Sequence, residues 1–172
     1  IKMRIKGDRV LHWYDKDQSS YKIDLRGEKR IWGLEEFSVQ KPITRNYIYE
    51  YIFHKLLEAN KLISLKYFFI NLSLNDSDQG IYAVEEGFSK ELIERNKKRN
   101  GPIFGLEETS GIIYPDVKYD LYSKKYWEDN QGELIKIALL KLEKLKHNKT
   151  NIGEIFDMGK WATFFAVIDL SH

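Results

Sequence analysis

Cysteine is absent from the 172 residues, which removes disulfides, thiolate metal sites and cysteine nucleophiles together. That absence fixes no compartment, because exported bacterial proteins also do without cysteine. A strong charge of one sign is missing too. Lysine and arginine total 28 against 26 acids, and a net charge of +2 gives no field to steer the chain to nucleic acid or an anionic membrane. No stretch approaches the roughly 20 apolar residues of a membrane helix, and no signal-peptide pattern opens the chain. The 4 histidines are scattered too widely for metal-ligand spacing. What is present, 42% hydrophobic, 14% aromatic and 31% charged residues, is the composition of a soluble globular protein with a real core. Ile1 is not an initiator methionine, so the natural protein is expected to begin upstream.

Strand signals fill the first half. Ile1, Met3 and Ile5 alternate with Lys2, Arg4 and Lys6, the period of a strand with one face on a core. Tyr21, Ile23 and Leu25 alternate with Lys22 and Asp24, and a third short strand is expected near Glu36 to Val39. Ile48, Tyr51, Ile52, Leu56 and Ala59 then recur at helical spacing, with Thr44 as the expected N-cap. Phe68 to Leu74 and Ile81 to Val84 read as a β-hairpin whose loop spans Asn75 to Gly80.

Beyond Gly87 the pattern turns helical. Ser89 to Arg99 is expected to be a helix, and Lys97, Lys98 and Arg99 to be its solvated end. Leu134, Ile135, Ala138, Leu142 and Leu145 define an amphipathic helix, acidic at its start and basic at its end, as the helix dipole favours. Asp157 is placed to cap a last helix, about Met158 to Ile168, that is apolar almost all round and expected to be buried. Strands followed by helices predict an α+β fold with a lobe boundary between residues 86 and 87.

Five strings in order carry a more specific signal. Ile5-Lys6-Gly7-Asp8, Ser20-Tyr21-Lys22-Ile23-Asp24-Leu25, Glu36-Phe37-Ser38-Val39-Gln40 on to Arg45, Gly80-Ile81-Tyr82-Ala83-Val84-Glu85-Glu86 and Ile155-Phe156-Asp157 together resemble the spore-coat CotH kinase family. The resemblance implies a kinase-like nucleotide-binding N-lobe, residues 1–86, with an antiparallel sheet and one main helix. An incomplete helical C-lobe, residues 87–172, would follow. It further implies an atypical kinase that uses ATP and a divalent metal such as Mg2+ to phosphorylate serines of partner proteins, often spore-coat, cell-surface or exported ones. Two departures stand out: Asp24 occupies a position where the family commonly offers a second basic residue, and Lys6 stands in a string where arginine is usual. Arginine's fork recognises anions better than lysine's point charge, so the second change matters.

Phosphoryl transfer requires cations on the phosphates, a positioned metal and an oriented hydroxyl. Lys6 and Lys22 are the strand cations, Lys22 being equally readable as a solvated strand lysine. Glu50 on the first helix is expected to approach Lys22, or to be a surface glutamate. Arg45 opposes the helix dipole and is expected to bind phosphate or a neighbouring carboxylate. The backbone at Glu85 and Glu86 is expected to hold adenine at the crossover, where Gly87 permits the bend. Asp169 and His172 approach the place where the family's catalytic aspartate and metal-binding residues begin, which makes Asp169 the catalytic candidate and His172 the metal candidate. Because the match ends there, the chain alone is expected to be inactive, with Trp161, Phe164, Phe165 and Ile168 uncovered. The alternative is a non-catalytic assembly or surface-binding module, favoured by Asp24; a nucleic-acid-binding domain is disfavoured by the charge balance.

Overall fold

Alternation of apolar and polar residues builds one antiparallel sheet from β1 (Lys2–Ile5), β2 (Tyr21–Asp24), β3 (Glu36–Gln40), β4 (Tyr67–Leu74) and β5 (Ser77–Glu86), in the order β1-β2-β3-β5-β4. The computed structural model describes residues 1–6, 19–27, 29–99, 101–106 and 119–171. Two compact units form, one of Ile1–Lys98 with Phe164–His172 and one of Arg99–Thr163. The architecture is α+β, consistent with a kinase-like N-lobe plus helices.

Strand period sends alternate residues to opposite faces of the sheet. One face packs Phe37, Val39, Tyr82 and Val84 with Leu25 and Leu34, and Ile23, Phe68, Ile70 and Leu72 close around them. Trp32 stands edge-on to Phe37 and Phe68, with ring centroids 5.6 and 5.3 Å away. Each fully buried large side chain in this cluster contributes about 1.5–3 kcal/mol. The other face receives helix α1 (Tyr49–Ala59), whose Tyr51 meets Phe69 and whose His54 stacks on Tyr67 at 5.9 Å. Phe53 of α1 also meets Phe164 at 6.2 Å.

Several local expectations are corrected. β1 lies at the outer edge of the described strands, and its apolar residues do not reach the core: Met3 is 51% and Ile5 61% exposed. Thr44 caps nothing, because its segment, Pro42–Arg45, is a 3-10 turn whose hydroxyl donates to the Lys41 carbonyl at 2.7 Å, and α1 begins only at Tyr49. The hairpin turns on Asn75 and Asp76 alone, both left-handed (φ 51° and 63°), the geometry that matches strand twist. Gln79 is then the extra residue of a bulge, since Leu72 faces Gly80 while Ser73 faces Asp78.

Helix α2 (Lys90–Arg95) is capped by Ser89, which accepts the Leu92 N–H, and is shorter than expected. Asn96 donates to the Leu92 carbonyl and Lys97 turns left-handed, so the basic run lies beyond the helix. Gly87 is required by proximity, with no positive φ at its backbone. Its N–H donates to the Glu36 carbonyl at 2.8 Å, and a Cβ there would sit 3.0 Å from that oxygen. Gly87→Ala is expected to lower stability by about 1–3 kcal/mol, the cost of overpacking against backbone; a melting temperature equal to that of the wild type would refute this.

In the second unit, β6 (Phe104–Leu106) pairs with β7 (Tyr119–Leu121) in a small separate sheet. Helix α3 (Lys124–Lys146) starts earlier than expected and kinks at Gln131, where φ is −147°. Helix α4 (Met158–Ser171) is capped as expected: Asp157 Oδ1 accepts the Lys160 N–H at 3.1 Å. The Lys160 side chain and then its backbone hold the Asp157 carboxyl below the usual carboxylate range. Apolar residues surround α4, yet only Val167 and Ser171 are buried while Phe165 stays 47% exposed, so the expected burial of this helix is not found.

Candidate functional site

The helix-facing side of the sheet carries a cross-strand row. Register places Arg4 beside Lys22, Lys22 beside Ser38, Ser38 beside Glu85 and Glu85 beside Tyr67. Directly opposite residues on one face stand about 5 Å apart at their Cβ atoms and interact. Next to this row, Lys6 follows β1 and Gln40 ends β3, with Gln40 fully buried.

Lys6, Gln40 and Arg45 converge on one carboxylate, that of Glu85. Lys6 Nζ lies 3.3 Å from Glu85 Oε1 and donates to Gln40 Oε1 at 3.3 Å. Gln40 Nε2 donates to Glu85 Oε2, and Arg45 reaches the same oxygen at 3.6 Å. Glu85 is only 12% exposed, whereas Lys6 and Arg45 keep 23% and 41% of their side chains open. Burial pulls the Lys6 ammonium below the ordinary lysine value; the Glu85 carboxylate opposes this, and Arg45 and Lys22 reinforce it. Two cations thus share one anion, and the surplus positive charge sits in a partly desolvated place where electrostatic attraction is stronger than in water.

Tyr67 and Gln40 are site residues that sequence reasoning missed. The Tyr67 hydroxyl is buried and has no hydrogen-bond partner among the described residues, although Gln40 lies near it. Burial, then the Glu50 and Glu85 carboxylates, push this phenol well above its ordinary range, so it is a proton donor at any physiological pH. The available signal was a glutamine and a tyrosine on the polar period of otherwise apolar strands.

The remaining candidates separate. Lys22 pairs with Glu36 on the neighbouring strand and not with Glu50. Glu36 stands one strand away on the same sheet face and takes the Lys22 ammonium in place of the expected helix partner. Glu50 lies 3.3 Å from His54 Nε2, one turn along its own helix. His54 is buried, and its Nδ1 accepts the Leu65 N–H, which leaves the ring proton on Nε2.

Glu86 points to the other face from Glu85. It is 4% exposed, ion-pairs with Arg95 and accepts the Lys66 N–H at 2.7 Å. Its own N–H donates to the Lys66 carbonyl, and the Gly87 N–H to Glu36. Both donors are thus paired within the sheet, and the Glu86 side chain anchors α2 through Arg95. Asp169 is exposed on α4, with no hydrogen bond or ion pair among the described residues joining it to the cluster. His172 lies outside the described residues. Among the described residues no group of three or more His, Asp or Glu side chains could hold a metal ion.

A cavity of about 520 Å3 opens elsewhere in the same unit, between α1 and the start of β4, with His54, Lys66 and Arg95 in its wall. Tyr67 also lines it, whereas Lys6, Arg45 and Glu85 do not. No helix among the described residues is long and apolar enough to cross a membrane.

No curated protein and no solved structure matches the chain. The description "CotH kinase protein" matches residues 3–172, which takes in β1 and every element after it. The chain belongs to the CotH kinase protein family.

Proposed function

We propose that residues 1–86 are the nucleotide-binding lobe of an ATP-dependent protein kinase, in which Lys6 and Arg45 hold phosphate oxygens and Glu85 positions both cations. The observation that carries this reading is their convergence on a single carboxylate that is only 12% exposed, with one positive charge left over. Membership in a kinase family supports ATP and a divalent metal in general terms. Serine side chains of spore-coat, cell-surface or exported proteins are the proposed acceptors, Asp169 the proposed residue orienting the acceptor hydroxyl, and residues 87–172 the start of a second lobe.

Positioning and charge neutralisation are what phosphoryl transfer asks of a protein. Arg45 suits the first need, because its planar fork meets two oxygens at once while 41% of its side chain remains open. Lys6 suits the second as a compact charge on a flexible four-carbon stem. Calorimetric titration with ATP and Mg2+ is the test. Arg45→Ala is expected to weaken binding about tenfold, the loss of one charge-assisted contact. Affinity should also fall as pH rises, beginning below the ordinary lysine range because the Lys6 proton leaves early. Wild-type chain that shows no binding, or binding that Arg45→Ala leaves intact, sinks the assignment. Binding without transfer of labelled phosphate to a serine-rich protein would favour the non-catalytic module.

A further inference from the structure

Glu85 faces a difficulty that the nucleotide-binding reading creates. In the structure Lys6 and Arg45 flank its largely desolvated carboxylate, and Gln40 donates to it. A polyphosphate that draws both cations outward would leave a desolvated anion with one amide donor. Buried charges without adequate partners are costly, and the cost would be subtracted from binding.

Tyr67 stands where that deficit would arise. It is the direct cross-strand partner of Glu85 on the same sheet face. Its residue is 5% exposed, and its hydroxyl is without a hydrogen-bond partner among the described residues. A buried hydroxyl left unpaired is itself unfavourable, so its presence costs stability in the ligand-free protein. We propose that Tyr67 is a reserve donor: its hydroxyl takes over the Glu85 carboxylate when a polyphosphate draws Lys6 and Arg45 away. The phenol is held protonated by burial and by the Glu50 and Glu85 charges, which keeps it able to donate. Tyr67 is thereby a positioning residue that acts through Glu85, and the inference rests on the nucleotide reading above.

The hypothesis gives opposite signs for stability and binding in one variant. Tyr67→Phe should unfold at the same temperature as wild type or higher, since only an unpaired hydroxyl is lost. The same variant should bind ATP with Mg2+, and inorganic triphosphate, about tenfold more weakly, the loss of one hydrogen bond to a charged group. With Glu85→Gln already in place, adding Tyr67→Phe should cost little more, because the charge that needs the donor is gone. Wild-type binding with an unaffected Tyr67→Phe overturns this inference alone, as does an equal loss in the Glu85→Gln background. A wild-type chain that binds neither ATP nor triphosphate overturns the nucleotide reading and this one with it.

Discussion

Replacing Arg95 by alanine is expected to lower the unfolding free energy by about 3 kcal/mol, because removal of one partner strands the other as a buried charge. Glu86 is 4% exposed and, among the described residues, would keep only the Lys66 N–H as a close donor. The partial exposure of Arg95, 30% of its side chain, places the effect at the lower end of that class. Arg95 Nη2 also donates to the Ser64 carbonyl at 2.7 Å, so the segment before β4, the end of β5 and α2 loosen together. Adding Glu86→Gln should recover about 1–2 kcal/mol, since the amide oxygen still accepts from Lys66 without a charge to desolvate. Urea unfolding of both variants is the measurement, and a single variant within about 0.5 kcal/mol of wild type would place the pair among surface contacts.

Lys6→Met is expected to reduce ATP affinity roughly 100-fold, about 2.7 kcal/mol, by removing the cation closest to Glu85 while leaving Arg45 and Gln40 on it. Stability at neutral pH should change little, since the lost ion pair is offset by relief from burying an ammonium. The pH dependence gives a second readout. Lys6 holds its proton more weakly in the folded chain than in the unfolded one, so the unfolded state binds more protons between the two pKa values. Wild-type stability therefore climbs as pH rises through that window, and Lys6→Met should lose the climb. A variant that keeps both the ATP affinity and the alkaline climb would remove Lys6 from the site.

Much of the sheet was legible because period-2 alternation names a strand and its faces from residue types alone. Tyr21 to Asp24 and Glu36 to Gln40 behave that way, and Asp157 caps its helix as its position suggests. β6 and β7 escaped because three residues cannot display a period, and Thr44 misled because the turn before α1 competes for its hydroxyl. At the site, Lys6, Arg45 and Glu85 were recognisable as charges, but their meeting depends on which strands are neighbours. The order β3-β5-β4 brings Gln40, Glu85 and Tyr67 together from segments far apart in the chain. Glu85 and Glu86 illustrate the limit: adjacent acids of one strand go to opposite faces, one to the cations and one to Arg95.

The position of β1 at the margin of the described sheet bears on how the protein behaves in concentrated solution. Among the described residues no strand pairs with the outer side of β1, and that edge with its exposed Met3 and Ile5 is a template for a second chain. Lys2 and Arg4 alternate with those residues and have no ion pair among the described residues, so two β1 edges brought antiparallel would set like charges against each other. That repulsion guards against filament-like self-pairing, and it weakens as salt shortens the Debye length from about 10 Å at 0.1 M to about 3 Å at 1 M. High-salt buffers, which would also strip a phosphate ligand from the cations beside this edge, are therefore the conditions under which chains should begin to join edge to edge.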